Sequence, residues 1–153
     1  FTNFSKKKMI YKIFPRIPFK VAMDKYGTDK PDLRNPLIIF DISKIFNRDD
    51  VKFEIFKKLL KSGSLIKAII TKKTNTKPRS FFDNIDKWAK EQGSSGLAYF
   101  SIEKDKSIKG KGPIGKFFSE QSIEEIMKTT KAEIGDRFFY HVEKKKKLNR
   151  FCL

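Results

Sequence analysis

Two strand-like runs, Val51 to Phe56 and Leu65 to Thr71, stand only eight residues apart, Lys57 to Ser64. A crossover between parallel strands needs about a dozen residues or more. The chain can therefore only turn back on itself here, which predicts antiparallel pairing. In the first run Val51, Phe53 and Ile55 alternate with Lys52 and Glu54, the period of a half-buried strand. In the second, Leu65 to Thr71, an apolar run encloses Lys67. Lys57 to Gly63 reads as a basic turn or short helix ending at Gly63.

Similar segments recur along the chain. Met9 to Phe14 reads as a short strand, and Pro15 and Pro18 then hold the chain extended. Phe19, Ala22, Met23 and Tyr26 follow helical spacing and predict a helix over 19–26 with that stripe in the core. Leu37 to Ile42 predicts a strand, with Ser43 capping one helical turn through Phe46. Asp49-Asp50 marks a turn, where adjacent carboxylates point apart. Thr71 to Arg79 lacks periodicity and predicts a mobile loop. Ser80, with Asp83 three residues on, predicts a cap for a helix whose apolar face is Phe81, Phe82, Ile85, Trp88 and Ala89, closing at Gly93. Leu97 to Glu103 predicts a strand, Lys104 to Gly112 a loop, and Ile114 to Phe118 a short strand. Ser119 or Ser122 caps a helix carrying Ile123, Ile126, Met127 and Thr130, and Arg137 to Glu143 closes the set as an aromatic strand. The expected class is α+β, a mainly antiparallel sheet of about five strands with helices on one face.

Between these runs lies Tyr26-Gly27-Thr28-Asp29-Lys30-Pro31-Asp32-Leu33-Arg34, followed by Asn35-Pro36. Pro31 and Pro36 hold Lys30 and Asn35 extended, and Gly27 can take positive φ to stop the preceding helix. The result is a stiff polar connector, either a joint between two bodies or a charged surface loop.

The residue inventory argues against several chemistries. One His (His141) and one Cys (Cys152) cannot build a zinc site. No Ser/His/acid or Cys/His set stands at motif spacing, and Gly110-Lys111-Gly112-Pro113 is not a P-loop. His141 reads as structural. The lone cysteine fits a reducing compartment, and no apolar run approaches the roughly 20 residues of a membrane helix. The basic start is not followed by the apolar run of a signal peptide. The formal net charge of +17 suggests a polyanionic partner. A+T-rich codon usage produces the same Lys, Ile, Phe and Asn bias. Lys72, Lys73, Lys77 and Arg79 in one loop, and Lys104, Lys106, Lys109 and Lys111 in another, are the phosphate-contact candidates.

Three ordered motifs carry a resemblance. Phe14-Pro15-Arg16-Ile17-Pro18-Phe19 leads through Ala22-Met23 into Tyr26 to Arg34; then come Gly96-Leu97-Ala98-Tyr99 and Gly112-Pro113-Ile114-Gly115-Lys116-Phe117. From about Phe14 to Phe139 the chain resembles the GAD insertion of bacterial-type aspartyl-tRNA synthetases. The family pattern usually has Ala where Gly115 stands, a small-for-small change on sequence alone. The resemblance implies a catalytic-domain flank over 1–24, a GAD-like domain over 25–143, and a helix returning to the catalytic domain over 144–153. The chain opens on Phe1 and closes in Leu148-Asn149-Arg150-Phe151-Cys152-Leu153, so both ends read as cut. The parent implied is a cytoplasmic, homodimeric ligase that charges tRNA-Asp with ATP and Mg²⁺, with tRNA-Asn left open as a second substrate. Its catalytic motifs lie outside this segment. This chain is then an accessory module, inactive alone, with Tyr26, Gly27, Asp29, Lys30, Pro31, Asp32, Leu33 and Arg34 as its signature and hinge. It either faces tRNA or braces the catalytic domain. The alternatives are the related module of a tRNA-dependent amidotransferase B subunit and a stand-alone basic RNA-binding domain. Phe14 to Arg34 favours the synthetase.

Overall fold

A computed structural model describes residues 13–94, 96–105 and 107–143. The expected strand over 9–14 lies outside these but for Ile13 and Phe14, which are exposed, and the expected helix over 144–153 lies wholly outside.

Among the described residues, five α-helices and five strands follow one another as α1 (Phe19–Tyr26), β1 (Ile39–Asp41), α2 (Ser43–Phe46), α3 (Glu54–Lys61), β2 (Leu65–Thr71), α4 (Arg79–Glu91), β3 (Ala98–Lys104), β4 (Ile108–Lys111), α5 (Glu120–Thr130) and β5 (Arg137–Glu143). Every strand pairing is antiparallel, in the order β1-β2-β5-β3-β4. The α+β class and the five-stranded sheet agree with the sequence. Register puts β5 at the centre, with Ala68 opposite Tyr140 and Phe138 opposite Phe100.

One sheet face carries Ile66, Ala68, Ile70, Phe100, Ile102, Phe138 and Tyr140, all buried. It packs on Ile45 and Phe46 of α2, Phe56 of α3, and Ile123 and Ile126 of α5. Phe46 is the hub, with ring centroids 5.0 Å from Phe56, 5.0 Å from Phe118 and 5.5 Å from Tyr140. The opposite face is covered by α4, whose Phe82 stacks 5.8 Å from Phe139 and 5.3 Å from Tyr99. The helices are thus divided between both faces, not gathered on one. Phe139 and Tyr99 alternate with the core residues Phe138 and Phe100, so the sheet is apolar on both sides and each side needs a cover.

Several local expectations are corrected. Val51 to Phe56 is not a strand: α3 begins at Glu54, because Phe56, Leu59 and Leu60 reach the core at helical spacing while Ile55 stays exposed. The strand expected over Ile114 to Phe118 is a single 3₁₀ turn (Gly115–Phe117), and the expected loop before it supplies β4. Ser43 is the first residue of α2, not its cap; its Oγ accepts from the Ile66 N–H at 2.9 Å, while Asp41 Oδ1 accepts from the Ser43 N–H at 3.0 Å. α4 begins at Arg79 with no side-chain cap, so Ser80 and Asp83 form no capping box. Its far end does close as expected: Gly93 takes φ 86°, with Gly93 N–H on Lys90 O and Ser94 N–H on Ala89 O. Ser119 caps α5, accepting from the Ser122 N–H at 3.0 Å. The stripe of α1 buries only Ala22, and Phe19 and Met23 are exposed. Trp88, expected in the core, is 60% exposed.

Candidate nucleic-acid interface

The sequence supplies two lysine-bearing segments, and the sheet places them at related positions. Thr71, Arg137, Ser101 and Lys111 are successive register partners across β2, β5, β3 and β4. Residues in register share a face, so Lys111 and Arg137 lie on the α4 side. Glu103 and its partner Lys109 fall on the same side.

The loop after β2 is fixed in place. Asp136, fully buried, accepts from Lys72 Nζ (2.8 Å), Lys73 N–H (3.1 Å) and Glu133 N–H (2.8 Å). Lys72 Nζ also donates to Lys131 O at 3.1 Å. Burial opposes charge on Asp136. The Lys72 hydrogen bond, the two backbone N–H donors and the Lys72 charge outweigh it and hold the carboxyl below its ordinary value. Lys73 adopts left-handed φ 50° and leads into a 3₁₀ turn over Thr74–Thr76. The mobile loop read from the sequence is thus pinned at its start, and Lys72 serves the fold before it can serve a ligand. In sequence Asp136 is only an acid in a turn after Gly135; nothing there signals that it is the anchor.

The other candidates differ in their freedom. Arg79 pairs with Asp83 at 3.7 Å, and Lys111 with Glu103 at 3.2 Å. Lys77 lies over the Phe81 ring, 6.0 Å from its centroid. Lys73, Lys77 and Lys109 are exposed, and no ion pair engages them among the described residues.

The Tyr26–Arg34 connector is closed by its own residues. Gly27, at φ 71°, ends α1 with its N–H on Met23 O. Asp32 takes a fork from Arg34, Nε at 2.9 Å and Nη2 at 2.8 Å, together with the Arg34 N–H at 3.0 Å. The Arg34 hydrogen bonds bring the Asp32 carboxyl down to about 2. Asn35 N–H returns to Asp32 O at 3.0 Å. Asp29 and Lys30 are solvent-facing, with only a 3.9 Å contact between them. Tyr26, Pro31 and Leu33 add no further hydrogen bond to this clasp among the described residues.

Beside the connector, an open trough of about 840 Å³ runs between α1 and α4. Ile39, Ile69 and Phe139 form its floor, and Met23 and Trp88 stand at its sides. At one end His141 Nδ1 meets Ser94 Oγ at 3.1 Å. Asp50 is a brace: Arg48 Nε donates to it at 2.7 Å, Ser119 Oγ also donates to it, and Arg48 continues to Glu125 on α5. Among the described residues no group of three or more His, Cys, Asp or Glu is placed to hold a metal ion. No described helix is long and apolar enough to cross a membrane.

Comparison with known proteins supplies a family. The chain is 68% identical over 92% of its length to a protein of Pelagibacter ubique named aspartate–tRNA(Asp/Asn) ligase, of which the match covers 24%. Proteins of the same name from Beijerinckia indica (43% identical, 92% of this chain, 24% of that protein) and Rickettsia felis (43%, 96% and 24%) are also similar. The chain spans about a quarter of the length of the curated relatives it matches. A family model described as the GAD domain matches residues 56–152, more than half of the sequence, and the chain belongs to that family.

Proposed function

We propose that this chain is the insertion module of an aspartate–tRNA ligase, accessory to the chemistry and inactive alone. The identity to the Pelagibacter ligase, spread across nearly the whole chain, carries the reading. The module is residues 25–143, between a catalytic-domain flank (1–24) and a segment returning to the catalytic domain (144–153). Helix α1 straddles the first boundary and is shared by flank and module. The parent is a cytoplasmic homodimer charging tRNA-Asp, and tRNA-Asn as well. ATP and Mg²⁺ are held by its catalytic domain.

Within the parent the module faces tRNA. Among the described candidates, exposed Lys73, Lys77, Lys104 and Lys109 are in no ion pair and are left for phosphate, while Lys72, Arg79 and Lys111 answer to acidic side chains. A second reading, a brace with Tyr26 to Arg34 as the hinge, is favoured by the Asp32–Arg34 fork, which stiffens the connector without a partner from outside.

A chimera tests the proposal. The Pelagibacter ligase carrying this chain in place of its own segment is expected to aspartylate tRNA-Asp within about tenfold of the native rate, some 1.4 kcal/mol of barrier. The 153-residue chain alone is expected to show no aspartate-dependent ATP–pyrophosphate exchange. A folded chimera that charges no tRNA, or exchange by the chain alone, overturns it.

A further inference from the structure

Arg137 opens β5 on the α4 side of the sheet. Its guanidinium lies over the Phe82 ring of α4, 3.6 Å from its centroid, and 5.5 Å from that of Tyr99 on β3. Nε is sealed from solvent without a hydrogen-bond partner among the described residues. The neighbouring acids are engaged elsewhere: Asp136 with Lys72, and Glu103 with Lys111. Burial disfavours the cation and lowers its pKa, and the charges of Tyr99 and Glu103 offset this only in part. Arg137 therefore holds a guanidinium fixed by stacking, with no ion pair among the described residues. An arginine needs no further ordering to grip an oxyanion once its plane is set by an aromatic ring.

The contacts extend outward from there. Phe82 meets Phe81 edge-on at 5.1 Å, Phe81 is 40% exposed, and Lys77 lies over its ring. The strip thus runs cation, buried ring, exposed ring, cation. One exposed ring between two cations suits a nucleic-acid strand, in which each base lies between phosphates. An acidic peptide has the charges but no flat ring to lay on Phe81.

We propose that Arg137, Phe81 and Lys77 form a contact for single-stranded RNA, with Arg137 on a phosphate and Phe81 under a base. This rests on the tRNA-facing reading above and names its centre, Arg137 and Phe81, which lie outside both lysine loops singled out from sequence; Lys77 comes from the first of them.

The experiment titrates the 153-residue chain with tRNA-Asp transcript and with a short single-stranded oligoribonucleotide across a KCl series. Arg137→Gln is expected to weaken binding about tenfold and to reduce the salt slope by about 1. Phe81→Ala is expected to cost about fivefold or more with the slope unchanged. Arg137→Lys keeps the charge but loses the guanidinium over the ring, and is expected to fall between wild type and Arg137→Gln. Because Arg137→Gln could loosen β5, a second measurement uses the unmutated chain. The Arg137 guanidinium N–H resonances, identified by their loss in Arg137→Lys, are expected to move on adding RNA. Unmoved resonances, unchanged affinity in a folded Arg137→Gln chain, or competition by polyglutamate equal to that by RNA each overturn the proposal. If the chimera is active while Arg137→Gln binds RNA normally, this strip fails alone; an inactive chimera is a failure of the ligase reading.

Discussion

Tyr140 and Arg137 show how much depends on single polar atoms. The Tyr140 ring is locked in the core, 5.5 Å from Phe46 and 5.5 Å from Phe100, yet its hydroxyl has no partner among the described residues. Burial drives its pKa well above that of an ordinary tyrosine. A buried hydroxyl without a partner costs free energy that a phenyl ring does not. Tyr140→Phe is therefore expected to stabilise the chain by about 1 kcal/mol, seen as a higher urea midpoint at unchanged slope. A lower midpoint would mean that the hydroxyl has a bound water to satisfy it. The sequence shows Tyr140 as one aromatic in an aromatic strand; its lack of a partner belongs to the three-dimensional neighbourhood alone.

Elements, not residues, meet at Gly110 and Gly115. Where β4 crosses the 3₁₀ turn, a Cβ on Gly115 would lie 2.3 Å from Gly110 O, and one on Gly110 2.9 Å from Gly115 Cα. The exchange of Gly for Ala that looks small on sequence is not neutral in this chain. Gly115→Ala is expected to cost about 1–3 kcal/mol by forcing β4 outward, with amide shifts concentrated in Ile108–Lys111 and a lower melting temperature. Gly63→Ala is the control: it has open space around it but φ of 85°, and should cost about 1 kcal/mol from backbone strain alone. The same crossing explains what sequence could not reveal. β4 has Ile108 as its one apolar residue, so its strand character comes from pairing with β3 and leaves no periodic trace. α3 was hidden because Val51, Phe53 and Ile55 satisfy a period of two over too few residues to exclude 3.6. Long segments with dense apolar spacing, β2, β5, α4 and α5, were legible to within a residue or two. The lysine loops were legible as loops of charge, but which lysines are spent on the fold was not, since Asp136 meets Lys72 across 64 residues of chain.

At the scale of the whole molecule the question is how a chain of net charge +17 stays folded, and what acid does to it. Asp136, Asp50 and Asp86 all have carboxyls held below their ordinary values. Asp136 is set by its cradle against the cost of burial, Asp50 chiefly by Arg48, and Asp86 chiefly by Lys90. Each group binds its proton more weakly folded than unfolded. The stability each provides is complete above the unfolded value near pH 4 and is lost as pH falls through the lower folded value. Protonation also removes negative charge from an already cationic chain, so repulsion grows over the same range. Urea midpoints are therefore expected to be flat from pH 7 to about 5 and to fall steeply below about pH 4. Asp136 can be isolated from the rest. Asp136→Asn turns an amide donor toward Lys72 and two backbone N–H groups, and is expected to cost about 2–4 kcal/mol at pH 7. As pH falls through the lowered value of the wild-type carboxyl it becomes neutral too, so the gap between the two proteins should narrow. A gap that stays constant from pH 7 to pH 2 would show that Asp136 joins the two loops by shape alone and that its charge contributes nothing.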